Sequence, residues 1–146
     1  MMEKDSLWEL WEVGKELGVS TVFVTKELIF NYANAVEDYD PIFLNPSDAE
    51  KAGFGGIVAP PSFHAQFTYM KWAIGDKGWL SQGTVHVRQE LKFRGLVREG
   101  DQLFIRVKAG NKFKKNGKKF VELEIIVDNQ KKENLCIGKS VFLLPS

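Results

Sequence analysis

The sequence is poor in the residues that build disulfides and metal sites. Its 146 residues include one cysteine and two histidines. The single Cys136 excludes an internal disulfide and a multi-cysteine metal centre. His64 and His86 stand at neither helical nor hairpin spacing, so we expect no zinc or iron site. A lone thiol is typical of a reducing compartment, and we expect a cytoplasmic protein.

Long apolar runs and an excess of one charge are also missing. No stretch approaches the roughly 20 apolar residues that a membrane span needs, and the acidic N-terminus has no signal-peptide pattern. The net charge is +1, so we expect neither nucleic acid nor membrane as a partner. The composition, 44% hydrophobic and 27% charged, fits one globular domain over 1–146 with residues 1–12 as an N-terminal helical extension.

The first part of the chain alternates helical patterns with one strand. A capping box begins at Ser6, and Gly18 is placed as a helix stop after residues 13–17. Residues 19–24 are short and β-branched, which predicts a strand. Thr25 is a candidate N-cap for the next helix. The residues of that helix that share one face are Ile29, Tyr32, Ala33 and Val36.

Three prolines organise the middle of the chain. Pro41 ends the preceding helix and favours an extended Asp40. Residues 47–50 resemble a second capping box, which predicts one or two helical turns. Pro60 and Pro61 open a further helix over residues 62–74. This helix is apolar on most sides, so we expect it to be buried.

The second half of the chain predicts strands. Apolar and polar residues alternate in four segments, and Asn116-Gly117 is a strong hairpin signal. We expect an antiparallel four-strand meander in which the strand over residues 85–93 has one dry and one wet face. The apolar helix has only this sheet to pack on, so the fold class is α+β, with the sheet curled around one long helix.

The acids near Pro41 are the first candidates for chemistry. Glu37, Asp38 and Asp40 lie in a break between helical patterns, where a carboxylate can face a ligand. Asp38 and Asp40 fit a general base and its helper. A helix end followed by an Asp-Pro turn explains the same residues without catalysis, and the residues alone leave both open.

Other features have competing interpretations. Five lysines flank the hairpin turn, where they could meet phosphates or an acidic carrier protein, or simply be solvated. Trp8 and Trp11 lie on one helical face, either as a partner patch or as an anchor for the terminus. Cys136 lies in an apolar strand, which favours a buried structural thiol over a nucleophile. The five lysines are Lys112, Lys114, Lys115, Lys118 and Lys119.

Residues 13–144 resemble the MaoC-like dehydratase/hydratase family of hotdog folds. The resemblance is closest to the divergent N-terminal-half type seen in dehydratase subunits of mycolic-acid synthesis. It is carried by Val13-Gly14-Lys15-Glu16, Tyr32-Ala33-x-Ala35-Val36, Asp38-x-Asp40-Pro41-Ile42, residues 52–63 (AGFGGIVAPPSF) and the turn Gly100-Asp101.

This resemblance implies a long helix wrapped by an antiparallel sheet, and a dimer. It also implies a substrate that is an acyl thioester of coenzyme A or of acyl carrier protein. Water would be added or removed (R)-specifically across a 2,3 double bond. No cofactor is implied beyond the coenzyme A or phosphopantetheine that the substrate carries.

The chain departs from the family's catalytic motif, Gly-Asp-x-Asn-Pro-x-His. Asp38 takes the aspartate position, but Asp40 replaces the asparagine and Phe43 replaces the histidine. Phenylalanine cannot exchange a proton, which removes a group worth about 10²–10⁴ in rate. Pro60-Pro61 replaces the family's His-Gly pair. Proline has no N–H for a thioester oxyanion, a loss worth about 10²–10³.

The resemblance therefore implies the non-catalytic, substrate-binding half of a heterodimeric (R)-3-hydroxyacyl dehydratase or enoyl hydratase, active with a motif-bearing partner. One alternative is a self-sufficient homodimeric hydratase or thioesterase, with Asp38 and His64 as catalytic residues. Another is an acyl-CoA binding module without chemistry. The expected substrate-binding residues are Asp40, Phe43, Pro60, Pro61, Phe63 and Phe67.

Overall fold

The structure is a computed structural model that describes residues 7–69 and 82–146. A single five-stranded antiparallel sheet dominates it, with strand order β1-β3-β4-β5-β2. This confirms the α+β class and the curled antiparallel sheet. The strands are β1 (Glu16–Phe23), β2 (Val85–Phe93), β3 (Gln102–Lys115), β4 (Lys118–Asp128) and β5 (Asn134–Leu143).

The meander prediction was wrong for one strand. β2 pairs with β5 at the far side of the sheet, while β1 takes the place beside β3. The connection over residues 94–101 therefore crosses the sheet instead of forming a hairpin. It pairs on its way with the segment before the Pro-Pro pair: Ala59 N donates to Val97 O at 2.9 Å, and Glu99 N to Ile57 O at 3.1 Å. Eight residues reach across because an extended chain spans about 3.3 Å per residue.

The strand near the N-terminus begins earlier than predicted. β1 includes Gly18, which was expected to stop a helix, because its backbone pairs with Val107 of β3. Of the described residues before it, Leu7–Leu10 (α1) are helical; Ser6 lies outside the described residues. Trp11 is buried, and its indole N–H donates to the carbonyl of Gly110 at 2.8 Å. The tryptophans thus anchor this segment on β3.

Two α-helices follow β1 within the described part of the chain. Thr25 caps α2 (Lys26–Ala35) by accepting from Leu28 N at 3.1 Å, as predicted. Ile29 and Ala33 are buried on its inner face, but Val36 is exposed where the helix ends. The cap of α3 (Pro46–Lys51) is Asn45 and not Ser47, because the Asn45 side chain accepts from the first backbone N–H groups.

The segment after the Pro-Pro pair is a 3₁₀ helix, Pro61–Tyr69, and not the predicted α-helix. Pro60 and Pro61 lack N–H groups, and the first bond of the turn runs from Phe63 N to Pro60 O at 2.9 Å, a tight three-residue closure. The predicted residues 70–74 lie outside the described part of the chain.

The hairpin prediction is confirmed. Asn116 and Gly117 join β3 to β4, and both have positive φ, 52° and 76°, as a type I′ turn requires. Cys136 is buried in β5, and burial raises the pKa of its thiol to about 11. Across residues 7–69 and 82–146, no helix is long and apolar enough to cross a membrane.

Strand register defines two ends of the sheet. Val85 of β2, Leu143 of β5 and Phe120 of β4 form one row, which we call the hairpin end. Phe93 of β2 and Cys136 of β5 lie in a row near the other end, which we call the Phe93 end. Cys136 and Leu143 are seven residues apart on β5. These rows are therefore separated by about 23 Å at 3.3 Å per residue.

Candidate functional site

Helix α2 is tied to the start of the 3₁₀ helix by Tyr32. Its hydroxyl lies 2.8 Å from the carbonyl oxygen of Ser62 and 2.9 Å from the Ser62 hydroxyl. Its ring meets Phe63 edge-on, with centroids 5.4 Å apart. Tyr32 therefore anchors the segment that leads to the acidic turn beside the Pro-Pro segment. The sequence analysis placed Tyr32 on the helix face but did not foresee this link.

The acidic turn leaves α2 by a sharp reversal. Glu37 has φ of 57°, and Asp38 N donates to Ala33 O at 2.9 Å. Asp40 is exposed, and its carboxylate caps the short 3₁₀ helix Pro41–Phe43 by accepting from Ile42 N at 3.1 Å. Asp38 is partly buried, with its carboxylate 3.4 Å from Asp40 N. Each of the two carboxylates thus accepts one backbone N–H, and each keeps acceptor capacity for a ligand.

Phe43, which the family resemblance aligns with the motif histidine, points into the core. Its side chain is 6% exposed and belongs to the main hydrophobic cluster. This placement explains why the position is apolar here, because a polar ring buried without a partner destabilises the fold. A role in substrate binding stays a prediction for Phe43.

The Pro-Pro segment is held by the turn that contains Asp101. This carboxylate is buried and accepts from Arg98 N at 2.8 Å and from the Gln130 amide at 3.1 Å. Arg98 also forms an antiparallel bridge with Val58 and donates its guanidinium to Phe54 O. Gly100-Asp101 therefore positions the chain just before Pro60.

Pro60 is buried and Pro61 exposed at the start of the 3₁₀ helix. Phe63 and Phe67 are almost fully buried, and their rings contact each other edge-on at 5.6 Å. Both belong to the core cluster, so they already pack against protein. Their predicted contact with an acyl chain remains untested.

His64 is the buried titratable group of this region. Its side chain is 3% exposed, and its Nδ1 is a buried nitrogen without a hydrogen-bond partner. Desolvation lowers the pKa of His64 to about 4, so the ring is neutral near pH 7. Phe67 and Phe93 flank it, with ring centroids 6.1 and 6.0 Å away.

A small polar set lies further along the 3₁₀ helix, and the sequence analysis missed it. Thr68 and Ser140 are buried with their hydroxyl oxygens 3.4 Å apart. The Gln89 amide of β2 donates to Thr68 at 3.2 Å. Hydroxyl residues inside apolar segments were the available signal. In the described ranges, no three His, Cys, Asp or Glu side chains converge as a metal site would require.

The structure thus brings the predicted residues together in two groups. Pro60, Pro61, Phe63, His64 and Phe67 share one segment. Asp38, Asp40 and Phe43 share the acidic turn that follows α2. A buried neutral imidazole and a partly buried carboxylate are the groups here that can exchange protons.

Comparisons with known proteins agree with this architecture. The sequence model of one family, described as "FAS1-like, dehydratase domain region", matches residues 12–137. A UPF0336 protein of Saccharopolyspora erythraea is 27% identical over 137 residues, which cover 90% of this chain and 87% of the relative.

Solved structures with the same fold include the following two. The unliganded R-hydratase PhaJ1 from Pseudomonas aeruginosa superposes with a TM-score of 0.74 at 23% identity, over 92% of this chain and 83% of the other. The HadBC (3R-hydroxyacyl-ACP dehydratase) complex from Mycobacterium tuberculosis superposes with a TM-score of 0.72 at 19% identity, over 91% of this chain and 98% of the other. At these identities the likeness identifies the hotdog fold.

Proposed function

The chain belongs to the family of FAS1-like dehydratase domain regions, and from this premise we propose that it is the substrate-binding half of a two-subunit hotdog hydratase/dehydratase. The reaction is the interconversion of (R)-3-hydroxyacyl and trans-2-enoyl thioesters. The second subunit carries the aspartate–histidine pair and performs the proton transfer. The substrate is an acyl thioester of coenzyme A or of a carrier protein. The proposal includes no cofactor beyond the coenzyme A or phosphopantetheine that this substrate carries.

The observation that carries this proposal is the burial of Phe43. In the family motif this position holds the histidine that exchanges a proton with substrate. Here it holds a side chain that is 6% exposed and packed in the core. The Pro60-Pro61 pair adds a second loss, because neither residue has an N–H for the thioester oxyanion.

The open edge of the sheet supports a partner. Phe93 of β2 lies against the buried His64, yet its own side chain is 48% exposed. Val85 and Val87 of the same edge strand are exposed as well, although the sequence predicted one dry face. An exposed, apolar edge strand is a pairing surface. The structurally similar HadBC protein is itself a complex.

A second candidate is a self-sufficient homodimer that uses Asp38 and His64. The unpartnered Nδ1 of His64 favours it, because a buried nitrogen without a hydrogen bond is typical of functional sites. Its lowered pKa leaves a neutral ring that can accept a proton. Against it, His64 is covered by Phe67 and Phe93 within one chain.

Hydration of crotonyl-CoA tests these alternatives, followed as loss of the enoyl-thioester absorbance. We expect no turnover by the purified chain, and turnover when a hotdog subunit that carries an intact Asp-x-Asn-Pro-x-His motif is added. The motif-bearing subunit alone is the control. Clear turnover by this chain alone, abolished by Asp38→Asn, would establish the homodimeric enzyme instead. If the two subunits together catalyse neither hydration nor dehydration, the acyl-CoA binding module becomes the better explanation.

A further inference from the structure

The β3–β4 hairpin carries a dense positive charge. Five of the eight residues over 112–119 are lysine, and we call this segment the lysine hairpin. Strand register places Lys114 directly opposite Lys119, and Lys115 directly opposite Lys118. Like charges directly opposite each other destabilise a strand pair. These two cross-strand lysine pairs therefore reduce the stability of the hairpin, so the folding of the hairpin does not explain their presence.

One face of the hairpin gathers three ammonium groups around Trp8. Lys112, Lys119 and Lys114 lie 4.9, 5.7 and 5.8 Å from its ring centroid. Lys112 also donates to the Trp8 carbonyl at 2.8 Å. Cation–π contact holds each ammonium but does not neutralise it. The ring thus concentrates positive charge on one face of the hairpin.

Within residues 7–69 and 82–146, no hairpin lysine forms an ion pair with a carboxylate of these residues at 4 Å or less. The ion pairs there join other residues: Lys15–Glu12, Arg88–Glu90, Arg106–Asp128 and Lys139–Glu122. On the opposite face, Phe113 and Phe120 stack with centroids 5.0 Å apart and planes 8° apart. This stack stiffens the ribbon that presents the lysines.

We propose that the lysine hairpin, with Trp8, is the docking surface for an acidic acyl carrier protein that delivers the thioester. This proposal rests on the proposed function and narrows its substrate from any acyl thioester to a protein-bound one. The chemistry favours a protein over a small phosphate ligand. The lysines project from both faces of a projecting ribbon, and flexible point charges suit a broad acidic surface. Lys118 and Lys119 line a concave pocket of about 460 Å³ that can take a small ligand, whereas Lys112, Lys114 and Lys115 are not among its lining residues.

The position of the hairpin fits delivery to the partner subunit. His64 and Phe93 mark one end of β2, whereas the lysine hairpin extends from the row of Val85 at the other end. The two rows are about 23 Å apart along β5. Suppose that β2 pairs antiparallel with the edge strand of the partner subunit. The hairpin end of this chain then lies beside the opposite end of the partner's sheet, which is where the partner's catalytic segment is expected. β4 is two strand spacings, about 10 Å, from that edge.

Binding measurements on the full chain test the docking surface. The probes are a purified bacterial acyl carrier protein with a crotonyl group on its phosphopantetheine arm, and crotonyl-CoA. The test variant is K114A/K119A, which removes one cross-strand lysine pair and keeps Trp8 and Lys112. The control is K131A/K132N in the β4–β5 turn, which removes two exposed charges at the other end of the sheet. Asparagine suits position 132 because its φ is +63°.

We expect K114A/K119A to weaken carrier-protein binding about tenfold at about 0.05 M salt, and much less at about 0.5 M, where the Debye length is shorter. Crotonyl-CoA binding and the control variant should match wild type. An unchanged carrier affinity would overturn the proposal, as would equal weakening of crotonyl-CoA or equal weakening by the control. Wild-type binding of crotonyl-CoA without carrier binding would refute only the docking surface. If the wild-type chain binds neither the carrier protein nor crotonyl-CoA, both the docking surface and the proposed function are refuted.

Discussion

His64 of the 3₁₀ helix packs against Phe93 of the edge strand β2, with ring centroids 6.0 Å apart. One ring is 3% exposed and the other 48%. The contact therefore marks the boundary between the core and an exposed part of β2. It connects the buried imidazole with the edge strand on which a second subunit would pack.

A charge at the end of β2 should prevent assembly. Phe93→Lys places an ammonium on the edge strand, which opposes edge-to-edge pairing. We expect at least a tenfold weaker association, measured by light scattering coupled to gel filtration, with or without the motif-bearing subunit. Phe23→Lys is the matched control, because Phe23 ends the other edge strand, β1, and is also exposed. Equal loss of assembly in both variants would argue against β2 as the interface.

Burial of His64 should make stability depend on pH. Its pKa is lowered from 6.5 to about 4 in the folded protein, so the unfolded chain binds a proton that the folded chain does not. The free energy of unfolding should therefore fall as pH drops from about 6.5 to 4, by about 3 kcal/mol for this group. Urea unfolding at several pH values measures it.

The variant His64→Leu isolates this effect from the carboxylates that titrate in the same range. Its free energy of unfolding should depend less on pH between 4 and 6.5 than that of wild type. Below pH 4 the two curves should run parallel. A wild-type slope no steeper than that of His64→Leu would show that the ring is solvated in the folded protein.

Restoring the motif histidine should not create an enzyme. Phe43→His introduces a polar ring where the side chain is in the core. We expect the free energy of unfolding to drop by about 1–3 kcal/mol beyond that of the control Phe43→Leu. Crotonyl-CoA hydration by the variant alone should stay at background, because the Pro60-Pro61 segment still lacks an oxyanion donor. A large gain in turnover would show that the missing histidine was the sole obstacle.

The Asp101 carboxylate should be a strong stabilising group. Asp101→Ala leaves Arg98 N and the Gln130 amide without the acceptor they now have at 2.8 and 3.1 Å. We expect the free energy of unfolding to fall by about 1–3 kcal/mol in urea titrations at pH 7. Glu12→Ala is the comparison, since its ion pair with Lys15 is a longer contact, 3.8 Å, between two exposed side chains. It should lose less than about 1 kcal/mol.

Local features of the fold were readable from residue types. Thr25 caps α2 because its hydroxyl satisfies a free N–H of the first turn, and Asn116-Gly117 forms the hairpin turn because these residues tolerate positive φ. Pro41 follows an extended Asp40 for a similarly local reason. The family resemblance also singled out Asp38 as a candidate catalytic residue, although it gave no information about the groups that surround this carboxylate.

Residue types were a poorer guide where long-range pairing competed with local preference. Gly18 was expected to end a helix, yet it pairs with Val107 inside β1. The Pro-Pro pair suits an α-helix, yet the segment it opens, Pro61–Tyr69, closes as a 3₁₀ helix. The order of strands could not be predicted either, because alternation shows which faces are apolar but not which strand lies alongside.

The sequence by itself determined the α+β class, the Thr25 cap of α2, the hairpin and the absence of a histidine at position 43, because each depends on residue type and near neighbours. Tertiary structure alone decided that β2 lies at an open edge beside β5, that Phe43 is in the core and that His64 is desolvated. It also placed the lysine hairpin and His64 at opposite ends of the sheet. These properties depend on which distant segments meet, and burial and charge neighbourhood exist only once they have met.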